Sequence, residues 1–131
     1  MNLFLDSSAL VKRYIEEPGS ISVELGMSEA GAWIASQVTF VETLRVVASV
    51  PAAAKRARRD WDEFDIVALT PGLCERAVAL AQAHRLKSLD AIQLASATAT
   101  AASDLTFASF DRQLHAAARS EGFATLPTAL A

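Results

Sequence analysis

The sequence predicts an α/β fold built on a mainly parallel sheet, and three observations carry that expectation. Short apolar runs alternate with segments of helical periodicity about ten to fifteen residues long, the pattern of βαβ units. The chain has 131 residues, 52% of them hydrophobic and 21% charged, which suits one buried core in a single domain over residues 1–131. Aspartates follow two of the apolar runs, Asp6 after the first and Asp111 after a late one. Open parallel sheets bind their ligands beyond such strand ends.

Residues 2–5 form a short apolar run ended by Asp6, and Leu10, Val11, Tyr14 and Ile15 then recur at helical spacing, giving a strand and a helix. Pro18 and Gly19 stop that helix. Ile21, Val23, Leu25 and Met27 lie in a weaker helical segment ending near Gly31, and residues 33–36 read as the second strand. Residues 38–50 are apolar nearly all round, as expected of a central buried helix, and Pro51 marks its end or the start of the next. Residues 52–64 follow as an Ala- and Arg-rich, largely solvated helix. "DIVAL", residues 65–69, is a β-branched run bounded by Thr70, Pro71 and Gly72, hence a strand. Residues 73–84 carry Val78, Leu80 and Ala81 at helical spacing, and Ser88 is the expected N-cap of a helix through "LKSLDAIQLASA". A strand over 105–110, a helix over 111–121 stopped by Gly122, and a strand over 123–126 complete the alternation.

The formal net charge of -3 argues against a surface that attracts nucleic acid everywhere, while leaving room for a local basic strip. Cys74 is the only cysteine, so neither an internal disulfide nor a cysteine-based zinc cluster is expected. The opening "MNLFLDSSALVKRY" meets Asp6 after a very short apolar run, so neither a signal peptide nor a membrane span is expected and the cytoplasm is the expected location.

Four acids interrupt this apolar pattern, one in each of four separate elements. Asp6 and Asp111 each have a simple alternative role as helix N-caps, although Ser7 and Ser8 could cap the first helix equally well. Glu42 falls in the row Val38, Glu42, Val46, where burying an unpaired carboxylate is costly. Its alternative, an exposed ion pair with Arg45, is worth only ~0.2–0.5 kcal/mol. Asp90 can favour its helix dipole by ~0.3–1 kcal/mol, yet Leu89, Ala91, Ile92 and Leu94 surround it with apolar side chains. A shared cation explains all four at once, because carboxylates at close quarters raise one another's pKa unless a counter-charge is present. Oxygen-only ligands select a hard ion, Mg²⁺ or Mn²⁺.

In order along the chain, "FLDSSALVKRYIEE", "VTFVETLR", "LKSLDAIQLASA" and "LTFASFDRQLHAAARSEGF" resemble the PIN-domain ribonucleases, in particular the VapC-type toxins of type II toxin–antitoxin systems. The resemblance runs almost end to end. It implies a PIN-like three-layer α/β/α sandwich and a catalytic set matching Asp6, Glu42, Asp90 and Asp111, with metal held by Asp6, Asp90 and Asp111. It further implies a supporting hydroxyl at Ser109, where Thr is commoner in the family. The implied activity is Mg²⁺- or Mn²⁺-dependent endoribonuclease action by metal-activated water, leaving a 5′-phosphate and a 3′-hydroxyl. An RNA substrate, a cognate VapB-type antitoxin and a homodimer are the implied partners.

Lys12, Arg13, Arg45 and Arg112 are candidates to track the RNA backbone around the acids. "KRARRD", residues 55–60, reads instead as a solvated helix face. Tyr14, Ile15, Ile21 and Leu25 either form an apolar groove for the antitoxin or pack in the core. His84 and His115 are expected at solvated or helix-end positions rather than in catalysis.

The main alternative of another class is a noncatalytic, metal-using signalling module of receiver type. Such a domain needs an acidic pair after its first strand and a late lysine, whereas one acid follows residues 2–5 and no lysine follows Lys87. An RNA-binding module with a weak metal site is the second alternative, opposed by the presence of all four acids.

Overall fold

In the computed structural model, which describes residues 1–130, the alternation of the sequence becomes five strands and seven helices. Ala131, the last residue of the expected domain, lies outside the described residues. In chain order the elements are β1 (Asn2–Leu5), α1 (Ser7–Tyr14), α2 (Ser20–Glu29), β2 (Trp33–Ser36), α3 (Gln37–Val47) and α4 (Pro51–Trp61). They continue with β3 (Asp65–Val67), α5 (Pro71–His84), α6 (Ser88–Ala99), β4 (Leu105–Ala108), α7 (Arg112–Ser120) and β5 (Ala124–Leu126). All pairings are parallel and the strand order is β3-β2-β1-β4-β5. The order reverses beside β1, so the crevice beyond the carboxyl ends of β1 and β4 is the topological switch point.

Alternation along β1 divides the core into two layers. Leu3 and Leu5 point to one face, where they pack with Leu10, Val23 and Met27 of α1 and α2. Phe4 points to the other, where it stacks on its register partner Phe107 with ring centroids 5.2 Å apart and joins Leu94 and Leu114 of α6 and α7. Helices therefore cover both faces of the sheet, a three-layer α/β/α sandwich. Among the described residues, no helix is long and apolar enough to cross a membrane.

Several sequence expectations are corrected by this packing. The helix over 38–50 is not central: α3 buries only Thr39, Thr43 and Val47, leaving Val41 64% and Val46 53% exposed. It lies against α1 and α4, and such a flanking helix contacts protein along one stripe whatever the composition of its other faces. "DIVAL" supplies only the three-residue edge strand β3, paired on one side. Val78 faces outward on α5, where Leu73, Ala77 and Leu80 form the buried stripe. Lys87, not Ser88, occupies the N-cap position of α6, and no side chain caps that helix.

Candidate active site

Each acid is delivered by the start or first turns of a helix near the carboxyl edge of the sheet. Asp6 follows β1 and caps α1: its Oδ1 accepts the Ala9 N–H at 2.9 Å and the Ser8 hydroxyl at 2.7 Å. Its Oδ2 accepts the Ser109 hydroxyl at 2.6 Å, which joins the end of β1 to the end of β4. Asp111 caps α7 through the Leu114 N–H at 2.9 Å and remains exposed. The capping alternatives are thus realised at both strand ends, alongside a position at the switch point rather than instead of it.

Glu42 stands on α3, half-buried, and its Oε1 accepts the Ser7 hydroxyl at 3.0 Å. Among the described residues it makes no ion pair with Arg45 or any other cation. Asp90 sits in the first turn of α6, half-buried. A buried hydrogen-bond chain locks α3 and α6 onto the end of β1. Ser36 donates to Gln93 Oε1 at 3.2 Å, Gln93 Nε2 donates to the Thr39 hydroxyl at 2.8 Å, and Thr39 donates to the Leu5 carbonyl at 3.1 Å.

The electrostatics place the acids in one field. Burial pushes Asp6 from its ordinary 3.8 up to about 6, with the Asp90 charge adding to the rise and the Ser109, Ser8 and Ala9 hydrogen bonds opposing it. Asp90 is also raised, first by burial and then by the charges of Asp111 and Glu42, while Lys87 pulls the other way. Among the described residues none of these four acids is ion-paired to a side-chain cation. The cluster therefore carries negative charge that no ion pair among the described residues neutralises, around a buried carboxylate, which fits a bound divalent cation. Among the described residues, no three His, Cys, Asp or Glu side chains are poised to hold an ion directly. The donor set and its spacing fit a hydrated hard ion such as Mg²⁺, which keeps several waters and takes one or two carboxylates. The residues able to contribute are Asp6, Asp90 and Asp111, with Glu42 alongside.

Sequence reasoning missed three contributors. Ser7 and Ser8, expected only as alternative caps, orient Glu42 and Asp6, and Ser8 also accepts the Phe110 N–H at 2.8 Å. Lys87, directly before the helix of Asp90, opposes the rise in that carboxyl's pKa. The "DSS" and "KSLD" spacings carried that signal.

The basic candidates divide. Arg13 is bound within the protein, its guanidinium 2.9 Å from Asp60 and 2.9 Å from Glu24 and stacked over Trp33. Trp33 begins β2, so Arg13 belongs to the opposite end of the sheet from the acids. Lys12 is held by Glu17 at 3.0 Å and by the Pro18 carbonyl at 2.7 Å. Arg45 and Arg112 are not buried and, among the described residues, make no ion pair. "KRARRD" is only partly a solvated face, because Arg56 and Asp60 join the Arg13 network. Tyr14 and Ile15 pack against Val47 and α4, whereas Ile21 and Leu25 are exposed. His84 pairs with Glu121 at 2.7 Å near the end of α5; His115 is buried rather than solvated, and its Nε2 lies 2.7 Å from the Pro127 carbonyl.

Ser109 gives the site its most direct test. Its fully buried hydroxyl donates to Asp6 and accepts the Asp111 N–H at 3.2 Å, and the bond to Asp6 opposes the rise in that carboxyl's pKa. Ser109→Ala is expected to lower turnover roughly tenfold and to move the acidic limb of the pH–rate profile upward, with Ser109→Thr restoring both. An unmoved limb in the Ala variant would remove Ser109 from the site.

Comparison with known proteins follows the same lines. The PIN domain family matches residues 3–120. Ribonuclease VapC45 of Mycobacterium tuberculosis is 33% identical over an alignment covering 98% of this chain and 96% of that protein. Ribonuclease VapC47 of the same organism is 34% identical, covering 94% of each chain. Among solved structures, a toxin–antitoxin complex from Klebsiella pneumoniae has a chain of the same fold, with TM-score 0.69 and 23% identity over 85% of this chain and 87% of that one.

Proposed function

Since this chain belongs to the PIN domain family, we propose that it is a ribonuclease toxin, a Mg²⁺- or Mn²⁺-dependent endoribonuclease restrained by a cognate antitoxin. The observation that carries the reading is the convergence of Asp6, Glu42, Asp90 and Asp111 at the switch point with no side-chain cation paired to them among the described residues. The curated relatives' names as ribonucleases support the substrate class. The antitoxin partner is supported by the toxin–antitoxin complex of like fold; its VapB type, a homodimeric assembly and a cytoplasmic location belong to the same proposal.

In this reading Asp6, Asp90 and Asp111 would surround a hydrated cation, with one or two of them bound to it directly and the rest through its waters, and Glu42, steadied by Ser7, orients water in the same cleft. The cation, when bound, polarises a nonbridging phosphate oxygen and lowers the pKa of the attacking water. The protein's own contribution is positional. Ser8 and Ser109 fix both oxygens of Asp6, and the Ser36–Gln93–Thr39 chain fixes the two helices that carry Glu42 and Asp90. Without a counter-charge the acids repel a phosphodiester, so RNA entry and cation binding are coupled.

The test is cleavage of labelled structured RNA by purified protein in Mg²⁺, Mn²⁺ or EDTA, with the product ends determined. Metal-dependent cutting that leaves 5′-phosphates and 3′-hydroxyls is expected. Cutting that persists in EDTA and leaves 2′,3′-cyclic phosphates would overturn the mechanism. Cation and RNA binding without any cutting would favour a noncatalytic binding module.

A further inference from the structure

One lysine acts on the acid cluster from the turn between α5 and α6. Lys87 holds the N-cap position of α6 and Asp90 the third helical position, and side chains so spaced face each other across the first turn. Lys87 is the one cation among the charges acting on the Asp90 carboxyl, where Asp111 and Glu42 act in the opposite sense. The placement runs against local helix chemistry. An N-cap is normally a small side chain that accepts a backbone N–H, and a positive charge at a helix N-terminus opposes the dipole. Lys87 caps nothing, is exposed and makes no ion pair among the described residues.

The turn that carries this lysine is held firmly. Arg85 adopts the left-handed region at φ 55°, and Leu86 is buried in the core. Helix α7 ties the same turn down: Gln113 Nε2 donates to the Arg85 carbonyl at 2.7 Å, and Glu121 lies 2.7 Å from His84. Gln113 is two residues after Asp111, so the turn bearing Lys87 lies next to the start of the helix that Asp111 caps. Its ammonium, on a flexible stem from a fixed backbone, therefore has the acid cluster within its field and no protein partner of its own.

A lysine left unpaired here, where a capping residue would serve the helix better, supplies charge for an anion that the acids alone repel. We infer that Lys87 is a catalytic residue of the ribonuclease reaction, its ammonium binding a nonbridging oxygen of the scissile phosphate as that oxygen gains charge. The inference rests on the ribonuclease reading above. In the hydrolysis the water oxygen bonds to phosphorus and gives its proton to solvent. The P–O3′ bond breaks, its electron pair leaves on O3′, and O3′ takes a proton from solvent. Lys87 remains an ammonium throughout. Because the phosphate carries more negative charge at the transition state than in the diester, a fixed cation favours the former and raises kcat more than it lowers KM.

The experiment compares wild type, Lys87→Gln and Lys87→Arg for kcat and KM on labelled structured RNA in saturating Mg²⁺, and for melting temperature. A second readout needs neither cation nor turnover: binding, in EDTA, of an oligoribonucleotide with a 5′-phosphate against the same oligoribonucleotide with a 5′-hydroxyl. The terminal phosphate carries the extra charge that the proposed contact recognises. Lys87→Gln is expected to lower kcat roughly a hundredfold with KM little changed, and Lys87→Arg to restore most of the loss. Relative to wild type, Lys87→Gln should also reduce the preference for the 5′-phosphate roughly tenfold. Its melting temperature should match wild type, since Lys87 is exposed and caps nothing. Wild-type kcat and wild-type phosphate preference in Lys87→Gln overturn the inference and leave the ribonuclease reading intact. A raised KM at unchanged kcat also overturns it, making Lys87 a general attraction for RNA. Wild-type protein that cuts no RNA in Mg²⁺ or Mn²⁺ overturns the ribonuclease reading and this inference together.

Discussion

Asp6→Asn is expected to reduce metal-dependent RNA cleavage on the order of a thousandfold while making the metal-free protein more stable at neutral pH. The two effects have one cause. Asp6 is 3% exposed, and burial raises its pKa from 3.8 to about 6, so at pH 7 the folded protein carries a carboxylate that the unfolded chain charges more readily. The folded state binds the extra proton, and stability therefore falls as pH rises from below 3.8 through about 6. The rise corresponds to about 3 kcal/mol, fully expressed above the folded pKa and absent below the unfolded one. The substituted amide keeps an acceptor for Ala9 and Ser8 and has no charge to desolvate. In EDTA the variant should melt higher than wild type at pH 7 and equally at pH 3.5. In excess Mg²⁺ the order should narrow or invert, because a ligand of the native state stabilises only the protein that binds it. Equal melting temperatures in EDTA at pH 7, on a folded variant, would show that Asp6 is not charged at a cost and needs no cation to offset it.

Gln93→Leu is expected to destabilise the protein by about 3 kcal/mol, a fall of about 10 °C in melting temperature, and to depress cleavage at temperatures where the variant is fully folded. Gln93 is 1% exposed and sits in the chain Ser36–Gln93–Thr39. Leucine is of similar size, so the loss is polar rather than a cavity. It strands the Ser36 hydroxyl proton and one lone pair of the buried Thr39, each costing about 1–3 kcal/mol. The same chain ties α3, with Glu42, and α6, with Asp90, to the Leu5 carbonyl beside Asp6. Thermal melts and single-turnover cleavage of the same preparation check both halves. Lost stability with unchanged turnover would make Gln93 a core residue alone.

Much of the fold was legible. The residues of β1 and β2 agree with the sequence reading to the residue, because each is an apolar run ended by a residue that caps the next helix, Asp6 and Ser36. The reading erred where composition outran geometry. An all-apolar α3 implied a central position, yet Val41 and Val46 face outward. Burial depends on what surrounds a helix, and hydrophobicity alone does not fix that. Arg13, next to Lys12 in sequence, is a natural RNA contact on local grounds, yet α1 runs away from the acids and delivers it to Asp60 and Glu24.

By itself the sequence determined the alternating α/β plan and the family to which the chain belongs, and it singled out the four acids proposed for the site, since periodicity and a polar residue in an apolar run are local properties. Tertiary structure alone decided how those acids meet. Only the strand order, with β4 beside β1, brings Ser109 to Asp6 across more than a hundred positions, an |i−j| of 103. Only packing decides which arginine keeps its charge for a ligand, because the acids that neutralise a cation are spatial neighbours supplied by other helices. Desolvation follows the same rule: the cost carried by Asp6 depends on the layers closed over it, and those form only when the whole sandwich does.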